Sequence, residues 1–462
     1  MSYIPLHFTK AVARIIFATG VINFAYWGLS SRANAEDIKP SDIGLIKGLV
    51  PGALKQLGVQ FNATYIGEML GNVSGGAKRG AIYDGRLDLG IDVDLEKAIG
   101  WPGAKFHANM FQIHGQGLSR DYSGNLILAS NIEALPATRL YELWIEQSLM
   151  NDKIAIRLGQ QAADVEFFDS KYDDMFINST FGWPAIVGIN LPSGGPSPPL
   201  AVPGIRVKAQ LSDQLTAYVA IFDGNAAGPG PEDPQIRNPN GLAFRANDPP
   251  LVIGQVKYEF DVGDTGRELP ASIFAGGWYH AGPFNDQRFT AQGISLADPH
   301  GSGVSGQLRT NHGLFIVYEQ LLSRVAAGSD NGVGFFARAS VSPSDRNLIN
   351  LYVDGGLQFS GVTPSRPNDK FGIALAYARI ADAAQQLDLD VQYFTNTPVP
   401  IRDYEAVFEI TYQAEVKPGW MVQPVFQYIA HPAGGSVDPN DPNHTKRIRD
   451  ATVFGLRTTV KF

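Results

Sequence analysis

The chain has 462 residues, a formal net charge of −8 at pH 7, 50 Gly, 30 Pro and no Cys. Without cysteine there is no structural disulfide, no Cys-ligated zinc and no thiol catalysis. With no basic stripe there is no footprint for a nucleic-acid partner, and the length alone allows one large β domain or two to three ordinary ones.

Lys10 and Arg14 precede an apolar run, Ile15 to Leu29, and Ala33-Asn-Ala35 is a small-x-small cleavage pattern, so residues 1–35 read as a signal peptide. Gly20 and Asn23 interrupt the run, which is too short for a membrane-spanning helix, and no later stretch approaches ~18 apolar residues. The mature chain is expected to begin near Glu36, and with no Cys at that point there is no lipid anchor. An exported soluble protein or a barrel remains. Residues 36–57 carry Ile43, Ile46, Val50, Leu54 and Leu57 at helical spacing, broken by Pro51-Gly52, which predicts a short helical N-terminal segment.

From residue 58 to 462 the period becomes two. The clearest strand is 81–95, with Leu87, Leu89, Ile91 and Val93 on one side and Asp84, Arg86, Asp88, Asp92 and Asp94 on the other. Such a charged face is costly in a packed core and cheap beside water. Other strands are predicted at 59–70, 103–114, 138–149, 153–161, 203–211, 214–223, 250–260, 268–281, 312–323, 331–342, 347–360, 369–381, 403–416 and 420–431. The last stretch, 451–462, sets Thr452, Phe454, Leu456, Thr458, Val460 and Phe462 against Gly455, Arg457, Thr459 and Lys461. The tally is about sixteen, an even number of the kind bacterial barrels use.

A soluble sandwich would contain such strands too, but the connections discriminate. Short turns such as Asn151-Asp152, Ser212-Asp213 and Lys417-Pro-Gly419 alternate with long Gly- and Pro-rich loops, of which 162–202 is the longest, and only 343–346 breaks the rule. Short turns at one rim and long loops at the other predict an all-β, antiparallel up-and-down transmembrane barrel over 58–462. Aromatic residues near strand ends, Tyr258, Phe260, Tyr412, Tyr428 and Phe462, suit its interfacial girdles.

The chain resembles the carbohydrate-selective porins, the OprB-type family of outer membranes, over essentially the whole mature sequence. The resemblance rests on Tyr83-Asp-Gly-Arg-Leu-Asp-Leu-Gly90, Gly100-Trp-Pro-Gly-Ala-Lys-Phe106, Arg139-Leu-Tyr-Glu-Leu-Trp-Ile-Glu-Gln147, Ile156-Arg-Leu-Gly-Gln160 and Phe176-Ile-Asn-Ser-Thr-Phe-Gly-Trp183 in order, then Pro203-Gly204 and the strand ending in Phe462. It implies a sixteen-stranded barrel that lets sugars diffuse into the periplasm, set in outer-membrane lipid and lipopolysaccharide. Barrel-assembly machinery would then engage the strand ending at Phe462. No cofactor is implied.

A sugar site in a pore needs releasable hydrogen bonds from Arg, Asp and Glu, and aromatic faces for sugar C–H surfaces. Strand phase selects Arg86 and Asp88 on one strand. It selects Glu142, Trp144 and Glu146 on the next, opposite Tyr141, Leu143 and Ile145, and then Arg157. Trp183 lies in loop 162–202, which on the resemblance folds inward. Two roles stay open for several of these: Arg86 with Glu142 as mutual neutralisers, Trp144 as wall packing, and Trp183 as an anchor for Phe181 and Pro184. The acidic groups Asp169/Asp173/Asp174 and Asp438/Asp441/His444 suit solvated turns better than a metal, and Gly301-Ser-Gly-Val-Ser-Gly306 follows no strand. Two rival readings remain: a glycan-acting hydrolase of the outer membrane or exported, using Glu142 and Glu146, and a general non-selective porin.

Overall fold

The structure, a computed structural model, describes residues 54, 56–262, 269–326 and 329–462. The predicted signal peptide and nearly all of the predicted N-terminal helical segment lie outside them.

Sixteen antiparallel strands close into one barrel in chain order. They are β1 (Val59–Gly76), β2 (Gly80–Asp94), β3 (Ala104–Gly115), β4 (Ala137–Leu149), β5 (Ile154–Gln161), β6 (Val202–Gln210), β7 (Leu215–Phe222) and β8 (Leu251–Val262), followed by β9 (Leu269–Thr290), β10 (Ser305–Arg324), β11 (Gly332–Val341), β12 (Ile349–Ser360), β13 (Lys370–Ile380), β14 (Tyr404–Lys417), β15 (Trp420–Ala430) and β16 (Arg449–Lys461). Closure comes from β1 on β16, with Tyr65 opposite Val460 and Met69 opposite Leu456. Every strand therefore has two neighbours and no edge is left to pair elsewhere.

Burial is inverted relative to a soluble domain. Glu68, Arg338, Glu405 and Glu409 are buried, while Met69 (62%), Leu158 (64%) and Leu314 (65%) are exposed. Alternation along each strand sends the exposed apolar set outward, as lipid selects for, and the charged set inward, where it shares the interior with a buried apolar cluster that includes Phe168, Phe181, Phe336 and Val407. Tyr258 and Phe260 stack at 5.8 Å near the short-turn rim, and Tyr377 and Tyr404 at 5.3 Å near the long-loop rim.

Three departures from the predicted elements have physical reasons. β9 and β10 run on as a polar ribbon, with Gln307 opposite Asn285 and Ser305 opposite Thr290, so pairing persists where no lipid enforces an apolar face. Loop 382–402 contains a helix, Asp382–Thr395, docked by Arg288 on Asp390 (2.8 Å) and Arg402 on Asp388 (2.8 Å). In β4 a bulge sets Tyr141 and Glu142 opposite the single residue Asn109, between the pairs Met110–Leu140 and Ala108–Leu143.

Candidate functional site in the barrel lumen

Two of the long loops run inside the barrel, because the inward side chains of distant strands hold them. In loop 162–202 the backbone carbonyl of Glu166 accepts from Gln255 of β8. Lys171 N–H and Ser170 Oγ donate to Glu319 of β10 at 2.7 and 2.9 Å. Arg338 of β11 bonds Asp354 and Asp173 and donates to the carbonyls of Phe168, Thr180 and Phe181. Glu409 of β14 accepts from the N–H groups of Ile177 and Asn178 at 2.8 and 2.9 Å. Loop 116–136 is held the same way: Leu126 and Ile127 N–H donate to Glu405 at 2.8 and 2.7 Å, and Arg457 donates to Asn131 at 2.7 Å. A loop inside a barrel must satisfy its own backbone, and these clamps do so.

The inner wall from β2 to β6 carries a connected polar ladder. Asn109 donates to Asp88 at 3.3 Å and accepts from Glu142 N–H at 2.9 Å. His107 bonds Asp92 through Nδ1 at 2.6 Å and stacks on Trp144 with ring centroids 4.9 Å apart. The Arg157 guanidinium lies over the Trp144 ring, 4.1 Å from its centroid, and also bonds Glu146 at 2.9 Å. Arg206 of β6 reaches both Glu146 and Glu166 at 2.6 Å, which ties the wall to the root of loop 162–202. Two arginines and two glutamates thus share charge in a partly dehydrated site, where isolated charges would be costly. Nearby, the Arg86 guanidinium lies 4.5 Å from the Phe111 ring. Asp88, His107 and Trp144 keep partial exposure along this ladder.

Six of the seven predicted site residues, Arg86, Asp88, Glu142, Trp144, Glu146 and Arg157, therefore lie on one continuous inner wall. Trp183 does not present a face to the lumen. It is 8% exposed, packs edge-on against Phe168 at 5.5 Å and donates its indole N–H to the Gly194 carbonyl, so it anchors the loop's own core. Arg86 and Glu142 do not pair: Glu142 accepts from Ala162 N–H at 2.9 Å instead. Tyr141 is buried against Phe111 at 4.4 Å rather than facing outward, because the bulge resets the phase of β4. His107, Asn109, Glu166 and Arg206 were not among the expected site residues. The strand phase of Arg206 was legible, but contact with Glu166 depends on the path of a loop.

Among the described residues no group of His, Asp and Glu is placed to hold a metal. Asp173 is spent on Arg338 and Asp174 on Lys370 at 3.1 Å. Asp441 accepts from the N–H groups of Thr445 and Lys446, which hold its carboxyl below the usual carboxylate range.

A closed sixteen-stranded barrel with a polar inner wall narrowed by inward loops defines a transmembrane channel of the porin class. The chain belongs to the carbohydrate-selective porin, OprB family, whose model matches residues 78–462. It is thus an outer-membrane porin. Porin B of Pseudomonas aeruginosa is 24% identical over 477 residues, covering 96% of this chain and 99% of that protein. The high-pH structure of Pseudomonas putida OprB matches with a TM-score of 0.77 at 22% identity, over 91% of this chain and 97% of that one. The low-pH structure of the same protein matches with a TM-score of 0.51 at 16% identity, over 94% and 100%.

Proposed function

We propose that mono- and small oligosaccharides diffuse through this barrel into the periplasm past the wall formed by Arg86, Asp88, Glu142, Trp144, Glu146 and Arg157, without bond chemistry. The observation that carries the reading is the Trp144 ring set between His107 and Arg157, in a row of carboxylates and guanidinium groups. A sugar hydroxyl exchanges water for such groups at little net free energy, since a typical net hydrogen bond is worth only about 0.5–1.5 kcal/mol. Release stays fast for the same reason. The opposed signs pair along this one wall, so a neutral sugar meets a near-neutral row of donors and acceptors rather than a ring of one charge.

The apolar outer face and its aromatic girdles would sit in outer-membrane lipid and lipopolysaccharide. The strand ending at Phe462 would be the segment engaged by assembly machinery.

Single-channel conductance in a planar bilayer, with monosaccharides and disaccharides titrated in, tests the proposal. Saturable block by sugar is expected, and Trp144→Ala should raise the half-blocking concentration by about tenfold, equivalent to about 1.4 kcal/mol. Open channels that no sugar blocks would leave a general porin and end the selective reading. Sugar turnover by the purified barrel would move the assignment to a hydrolase.

A further inference from the structure

The two inward loops meet on adjacent strands, at three side chains that are 0% exposed: Glu405 and Glu409 of β14 and Gln427 of β15. Glu405 takes the consecutive N–H groups of Leu126 and Ile127 in loop 116–136. Glu409, two inward positions further along the strand, takes those of Ile177 and Asn178 in loop 162–202. Gln427 is the register partner of Glu409 and touches both loops. Its amide donates to the Ala129 carbonyl at 2.8 Å and to Glu409 at 3.1 Å, and its oxygen accepts from the Asn178 side chain at 3.2 Å. The loops also bond each other: Asn131 N–H donates to the Ile177 carbonyl at 2.8 Å, and Ser179 N–H to the Leu128 carbonyl at 3.1 Å.

We propose that Glu405, Glu409 and Gln427 form a bracket that fixes the two loops as one body, which makes them positioning residues for the channel's aperture. The physical argument is that of a shared network. Each carboxylate is dehydrated and taken up by three donors: the N–H groups of Leu126, Ile127 and Ala433 on Glu405, and those of Ile177 and Asn178 with the Gln427 amide on Glu409. Removing one acceptor oxygen therefore leaves a buried donor unpaired. The two backbone bonds between the loops then transmit the loosened end of one loop to the other. A barrel that merely stored its loops inside would need no residue that touches both.

The bracket is testable without any sugar, and only its consequence for the aperture rests on the porin reading. The chain contains no Cys, so Leu128→Cys and Lys171→Cys each give one unique thiol for a spin label, one in each loop. Each label is placed in the native background, in Glu405→Gln and in Glu409→Gln. Of the two inward loops, Glu405→Gln cuts an acceptor of loop 116–136 alone (one that Ala433 N–H in the connection to β16 also uses, at 2.7 Å), and Glu409→Gln cuts one of loop 162–202. Each substitution is expected to raise label mobility at both positions, with the barrel itself intact by heat-modifiable gel migration. The two substitutions are reciprocal, so either one that assembles suffices. Mobility gained only in the loop whose clamp was cut, or in neither loop, would overturn the bracket. Conductance of the same variants is expected to rise by roughly twofold or more as the loops leave the lumen axis. Labels that move together at unchanged conductance would uphold the bracket and overturn its role in setting the aperture.

Discussion

Arg338 shows what a single inward side chain does in this barrel. It neutralises Asp354 and Asp173 and satisfies the carbonyls of Phe168, Thr180 and Phe181 at once. Replacing it with Ala takes the counter-cation from two buried carboxylates and a donor from three carbonyls, with the Tyr352 hydroxyl still on Asp354 at 2.6 Å. The expected loss is about 3–5 kcal/mol, the usual cost of breaking a buried pair from one side. Denaturant unfolding of Arg338→Ala in detergent, followed by tryptophan fluorescence, checks it; a loss below about 1 kcal/mol would mean that the loop finds other partners. At this scale the sequence reveals strand phase and little else. Arg86, Asp88, Trp144 and Arg157 were legible because alternation along a strand fixes the side of each residue. Trp183 was not, because a loop has no period, and its burial against Phe168 follows from the loop's fold. Tyr141 failed for a different reason: one extra residue in β4 shifts the phase, and nothing in the local residue types announces it.

Among the elements, all sixteen strands were readable, most to within a few residues, except that β1, β9 and β10 continue well past their expected ends. The helix Asp382–Thr395 was read as loop, although Leu387, Val391 and Phe394 carry helical spacing. The context of long Gly- and Pro-rich connections outweighed that short signal. Its attachment gives a pH-dependent prediction. The Arg288 side chain, bonded to Asp390, holds that carboxyl below its ordinary range, with Ser295 Oγ adding a bond at 2.7 Å. A group whose folded pKa is depressed stabilises the docked state above its unfolded pKa, and that contribution is lost as pH falls through the folded value. The helix should therefore undock on acidification below the usual Asp range and stay docked at neutral pH. Hydrogen exchange across 382–395 reports it: protection lost at acidic pH, and already reduced at neutral pH in Asp390→Asn. Equal protection in both proteins at all pH values would mean that Asp390 adds nothing and that the Arg402–Asp388 pair and the apolar contacts hold the helix.

For the molecule as a whole, inverted burial is the property from which the others follow. Lipid outside and water inside require opposite side chains on alternate positions of every strand, and closure removes the edges that would otherwise need partners. Leu375 and Arg338 illustrate the two sides of that rule. Leu375 is 55% exposed on β13, midway between the two rims, with Ala374 and Ala376 buried on the inner side against the loops. Replacing Leu375 with Arg places a charge at mid-height on the lipid face and should destabilise the barrel by about 2–4 kcal/mol. The same substitution at Tyr258, which lies near the short-turn rim, should cost only about 0–1 kcal/mol from its charge, beyond the loss of stacking on Phe260. Reversible unfolding in lipid vesicles measures both. A Leu375→Arg cost as small as the rim cost would place the lipid-facing band elsewhere on the barrel, and with it the height at which loops 116–136 and 162–202 narrow the lumen.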